Sequence, residues 1–141
     1  RKVWKNGLYQ LHRNGFGKIY FFHSPYINNW DLVDSSAHQI VGAQLCGDDT
    51  ALLDQLAASP VLWERRIAII ATYHMIRAGL FDDTFRIAKI LLDEREDLIH
   101  KAVGWMLREV GKRDRCIEEV DHVTHQWFGI HLQLRRYKQA Y

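Results

Sequence analysis

The strongest constraint on what this chain can fold into is the punctuation of its middle, where apolar segments of helical length alternate with short breaks carrying helix start and stop residues. Asn29 is placed to cap a helix from Trp30 to about Cys46, and Gly47 stands where a C-terminal glycine belongs. A shorter helix is expected from Thr50 to Ala58. Ser59 and Pro60 then supply a cap and a first-turn proline for a long helix ending at Gly79. Asp82 and Asp83 open another helix to about Asp93, setting carboxylates at the positive end of its dipole, and Glu96 and Asp97 open one that runs to Val110 before Gly111. Residues 114–141 read as two helices with a break near Gly129. Residues 1–27, where Gly7, Gly15 and Gly17 interrupt aromatics without steady periodicity, read as a loop plus a short helix.

Proline occurs only twice and no alternating, turn-bounded run appears, so the expected fold class is all-α with short loops and antiparallel neighbours. Glu64-Arg65-Arg66-Ile67-Ala68 and Ile99-His100-Lys101-Ala102-Val103 echo one another at an offset of 35 residues, from 66 to 101. That spacing fits helical hairpins stacked into a curved solenoid with a concave binding face. A chain of 141 residues, 48% of them hydrophobic, can build one real core but not two. Residues 1–141 are therefore expected to form a single domain, with 1–27 irregular, 28–113 carrying the core motifs and 114–141 forming the final helices.

Several functions are disfavoured at once. Cys46 and Cys116 lie 70 residues apart and belong to no C-x-x-C pair, so neither a disulfide framework nor a zinc site can be argued from them, and reduced cytosolic thiols are the simpler expectation. No apolar run approaches the roughly 20 residues that cross a bilayer, and the start has no charged segment followed by an apolar one, so no membrane partner is expected. There are eight histidines but no H-E-x-x-H spacing, and His122 and His125, one turn apart, have no third ligand in view; no metal is expected. The absence of G-x-S-x-G, Walker and dinucleotide-binding glycine patterns argues against a serine nucleophile or a nucleotide cofactor, and no other cofactor is implied.

Two helical stripes could carry chemistry. Trp30, Asp34 and His38 recur every four residues and share one face of the first helix, although a tryptophan in the core and a solvated acid would give the same spacing. Lys101, Trp105 and Arg108 share a stripe of the last core helix, an indole between two cations of the kind that meet phosphates. A core indole with cations reaching to solvent is the alternative. Arg65 and Arg66 diverge by about 100 degrees, so one could track a phosphate while the other pairs with Glu64 or an acid on a neighbouring helix.

The strings Tyr26-Ile27-Asn28-Asn29-Trp30-Asp31-Leu32-Val33-Asp34-Ser35-Ser36, Leu62-Trp63-Glu64-Arg65-Arg66-Ile67-Ala68 and His100-Lys101-Ala102-Val103-Gly104-Trp105-Met106-Leu107-Arg108-Glu109 closely resemble the AlkD-type DNA alkylation repair family, over about residues 19–113. The resemblance implies a solenoid of HEAT-like repeats whose concave face grips double-stranded DNA containing alkylated purines. It also implies a DNA glycosylase that excises N3- and N7-alkylated purines without flipping the base into a pocket. On the family pattern Trp30 and Trp105 line the cleft beside the lesion, Asp34 is the catalytic carboxylate and Arg66 contacts the DNA backbone. Lys101, Arg108, Arg65 and His38 are further candidates for DNA contact. A monomer in the bacterial cytoplasm, associated with the nucleoid through DNA, completes this expectation.

The chemistry fits so few groups. An N3- or N7-alkylated purine is already cationic and leaves without a general acid, while an ionised carboxylate stabilises the oxocarbenium-like sugar and orients water. Indole faces add contact with the cationic sugar and base. The chain begins at Arg1 and is expected to be the C-terminal portion of such a protein, lacking the family's first helices; residues 1–18 match no part of the pattern. Thr124-His125-Gln126-Trp127-Phe128-Gly129-Ile130 stands where family members carry a Pro-Arg-Thr helix start, with Arg135, Arg136 and Lys138 as remaining positive charge. Two other classes fit the same features less closely, a non-catalytic relative that binds damaged or branched DNA and a HEAT-like scaffold for protein partners.

Overall fold

In the computed structural model, which describes residues 26–47, 50–114 and 125–126, five helices follow one another. Helix α1 comprises Trp30–Ala37, a π-helical turn His38–Gly42 and a final segment Ala43–Leu45. Helices α2 (Ala51–Ala57), α3 (Leu62–Arg77), α4 (Asp82–Ile90) and α5 (Asp97–Arg113) complete the set. Asn29 is extended and its side chain accepts the Asp31 N–H at 3.3 Å, which satisfies a donor that the first turn leaves free. Gly47 and Gly79 both adopt positive φ, the conformation in which glycine ends a helix without strain.

Three boundaries differ from expectation, each for a local reason. The long helix begins at Leu62 rather than at Pro60, because Ser59 acts from outside it: its hydroxyl oxygen accepts the Val61 N–H at 3.1 Å while donating to Glu64. Helix α4 stops at Ile90, and the chain turns through Leu91, which is buried, so that Glu94 reaches Arg65. Helix α5 passes through Gly111 to Arg113, since Lys112 and Arg113 both reach back to Glu109 across the last turn. The π turn in α1 was not expected from the sequence. Just before it the hydroxyls of Ser35 and Ser36 donate to the carbonyls of Asp31 and Leu32, a competition with backbone donors that loosens a helix.

Helices α1, α3 and α5 lie side by side, with α2 and α4 packed behind them and against each other. Helix α3 is central and touches all the others. Its residues Ile67 to Thr72 are buried without a break, so it is covered around its whole circumference. The echo at 35 residues is structural: buried Ile67, Ala68, Ala71 and Met75 in α3 correspond to buried Ala102, Val103, Met106 and Val110 in α5. Two layers of helices related this way are an all-α helical-repeat fold. Among the described residues there is no strand, and no helix is long and apolar enough to cross a membrane. The loop and short helix expected before residue 26, the helices expected after 114 with their break near Gly129, and Cys116, His122, Arg135, Arg136 and Lys138 lie outside the described residues.

The π turn presses Gly42 against α3. A Cβ there would collide with the Ala71 carbonyl oxygen and stand 2.8 Å from the Cβ of His74. Gly42→Ala is therefore expected to lower stability by about 1–3 kcal/mol, as overpacking at a close helix contact does. Urea denaturation measures this, and an unchanged midpoint would contradict so close an approach.

Candidate functional site

The first helix presents Trp30, Asp34 and His38 one turn apart, as the spacing requires, but in three different environments. Trp30 is 52% exposed, so it is not a core anchor. Asp34 sits deeper, its side chain 18% exposed, and meets Arg66 from α3. The Arg66 Nε donates to Asp34 Oδ1 at 2.9 Å and a terminal nitrogen donates to Oδ2 at 2.8 Å, while the other terminal nitrogen donates to the Leu98 carbonyl in the first turn of α5. One guanidinium thus joins all three helices of the front layer. A planar fork matching both carboxylate oxygens is what arginine offers and lysine does not.

The two adjacent arginines diverge as expected, and both find acids on neighbouring segments. Arg65 pairs with Glu94 at 2.6 Å and donates to the Ser59 carbonyl at 2.8 Å. Arg66 is 5% exposed, and its guanidinium holds the carboxylate in place. On α5, Lys101 and Arg108 are exposed on either side of the half-buried Trp105 indole.

A second link crosses the same three helices. The His38 ring meets Tyr73 of α3 edge-on with centroids 5.3 Å apart, and Tyr73 meets Trp105 of α5 at 5.9 Å with the planes tilted by 37°. Arg113 stands over the Tyr73 ring at 5.7 Å. Tyr73 was not singled out from the sequence, yet it lies two turns beyond Arg66 and so on the same stripe of α3. The site layer therefore carries two parallel links, Asp34–Arg66–Leu98 and His38–Tyr73–Trp105.

Burial lowers the His38 pKa below its usual 6.5, with Arg77 and His74 adding to the effect and the Asp34 backbone opposing it. Hydrogen bonds from Lys112 and Arg113 hold Glu109 below the usual carboxylate range, and in return Glu109, with Tyr73, raises the pKa of Arg113. Among the described residues no three His, Cys, Asp or Glu side chains are grouped to hold a metal ion.

A family model for the DNA alkylation repair enzyme matches residues 12–122. The chain belongs to the DNA alkylation repair enzyme family. The matched span reaches further on both sides than the 19–113 read from the motifs and covers all five helices. No curated protein and no solved structure matched the chain. Membership in the DNA alkylation repair family points to an enzyme of DNA repair with DNA as its partner.

Removing one member of a buried ion pair strands the other. Arg66→Gln is expected to cost about 3 kcal/mol, at the lower end of such losses because Asp34 keeps some contact with solvent. The double variant Asp34→Asn with Arg66→Gln is expected to regain part of it, and a loss in the double variant equal to the sum of the two single losses, read from urea midpoints, would show that the two groups are not coupled. His38 gives a pH signature. Its folded pKa is below the unfolded value, so the unfolded chain binds more protons in the window below pH 6.5; the His38 contribution to stability is complete above 6.5 and declines as pH falls below it. His38→Gln is expected to flatten the loss of stability between pH 7 and 5.5, and an unaltered slope would contradict this.

Proposed function

We propose that this DNA alkylation repair family member is a glycosylase that hydrolyses the N-glycosidic bond of N3- or N7-alkylated purines in duplex DNA, without flipping the base. The observation that carries the proposal is the Asp34–Arg66 pair, a carboxylate fixed at both oxygens yet reachable from solvent and one turn from the exposed Trp30. A carboxylate offers about four acceptor positions, and Arg66 takes two. Those that remain can face a sugar cation and accept from a water molecule.

As the C1′–N bond breaks, its electron pair goes to the cationic purine, which leaves neutral, and positive charge develops on the sugar. Asp34 stabilises that charge and orients water for attack at C1′, the proton leaving through the carboxylate or solvent. Trp30 and Trp105 supply indole faces to the sugar and base, and Lys101 and Arg108 meet the phosphates. Arg66 acts through Asp34 by keeping the carboxylate oriented. In this account the helical hairpins are HEAT-like, the protein is a monomer, and it works in the bacterial cytoplasm.

The test is release of 7-methylguanine from methylated duplex DNA. The chain is expected to release it, and Asp34→Asn to lower the rate by about 100-fold or more while binding is retained. Binding without excision by the unaltered chain would favour non-catalytic recognition of damaged DNA, and neither activity would favour a protein scaffold. Lys101→Ala and Arg108→Ala are each expected to weaken binding of any duplex and to reduce the dependence of log affinity on log salt by about one. An unchanged salt dependence would place the phosphates elsewhere.

A further inference from the structure

We infer that Tyr73 is a positioning residue for Trp105, setting the orientation in which the indole is offered to DNA. Its ring is the middle of three, between His38 at 5.3 Å and Trp105 at 5.9 Å, so each helix of the front layer contributes one. Those separations lie in the range where aromatic pairs have preferred geometries, and a ring held by two others has little freedom to turn. Tyr73 also packs against the core, and the Arg113 guanidinium stands 5.7 Å from its ring centroid. Arg113 is itself fixed, donating to the Glu109 carbonyl at 2.9 Å and to the Glu109 carboxylate at 2.8 Å, and Lys112 donates to the same carboxylate at 2.7 Å. The end of α5 thus braces Tyr73 on α3, and Tyr73 braces Trp105 two turns earlier on α5.

The arrangement parallels the other link across these helices. Arg66 fixes the carboxylate of Asp34, and Tyr73, two turns along the same stripe, fixes an indole. Both supports come from α3, whose stretch from Ile67 to Thr72 is buried without a break and so gives a rigid platform between Arg66 and Tyr73. This inference rests on the proposed function only in that Trp105 meets the lesion nucleotide; the bracing of Trp105 stands on its own.

Two measurements keep the two apart. The indole N–H resonance of Trp105, assigned by its loss in Trp105→Phe, is expected to stay close to its position in Tyr73→Phe, which keeps the ring, and to shift clearly in Tyr73→Leu. In 7-methylguanine release, Tyr73→Phe is expected to remain within twofold of the unaltered protein, whereas Tyr73→Leu loses at least tenfold in kcat with KM changed less than threefold. An unmoved resonance or an unchanged kcat in folded Tyr73→Leu would overturn the inference. Should Tyr73→Leu not fold, Tyr73→Met, which removes the ring but keeps an apolar side chain of similar bulk, takes its place, and a Trp105 resonance that does not move in it overturns the inference equally. If the unaltered protein releases no base, the proposed function fails, and the resonance alone decides whether Tyr73 positions Trp105.

Discussion

The Asp34–Arg66 pair is the interaction on which the front layer depends. Withdrawing a carboxylate and a guanidinium from water costs several kcal/mol each, and that cost is offset only when the geometry is good and the remaining donors are satisfied. Here both Asp34 oxygens accept from Arg66, and the remaining terminal nitrogen donates to the Leu98 carbonyl. A pair of apolar side chains could hold three helices together as well. What it could not do is leave a carboxylate in a fixed orientation with part of its surface open, and that is the feature on which a DNA alkylation repair enzyme of this kind would draw.

The fold supplies the platform. Helix α3 carries both Arg66 and Tyr73, and it can hold them rigidly because the other four helices surround it. The second layer has its own fastening at the same separation in sequence: Arg86 on α4 pairs with Asp54 on α2, 32 residues earlier, as Arg66 pairs with Asp34. Arg86 also binds Asp83 at 2.6 Å and the Thr50 hydroxyl at 2.9 Å. An arginine reaching back one repeat thus fastens both layers. The rear one is the more exposed and contributes less, since solvent screens it.

Much of this was legible in the sequence, for physical reasons that differ by residue. Asn29, Gly47 and Gly79 gave helix boundaries because capping and positive φ are local demands that few residue types meet. The 35-residue echo gave the repeat, since equivalent core positions need similar side chains. Spacing put Trp30, Asp34 and His38 on one face but could not tell an exposed indole from a buried one. The pairing of Arg66 with Asp34 was also out of reach: periodicity shows that adjacent arginines diverge, whereas their partners depend on which helices become neighbours. Tyr73 passed unnoticed because an aromatic in an apolar helix resembles core, and its role appears only once His38 and Trp105 stand on either side of it. The π turn, which follows two serines that bond back to their own helix, marks the limit of reading helices by length and caps alone.

The central claim is that Asp34, held by Arg66, stabilises positive charge on the sugar. The most direct measurement compares affinity for two duplexes, one carrying a cationic aza-sugar at a single abasic position and one carrying the neutral tetrahydrofuran there. The unaltered protein is predicted to prefer the cationic duplex, and Asp34→Asn to lose that preference while binding the neutral duplex as before. An equal preference for the cationic sugar in both proteins would contradict the account.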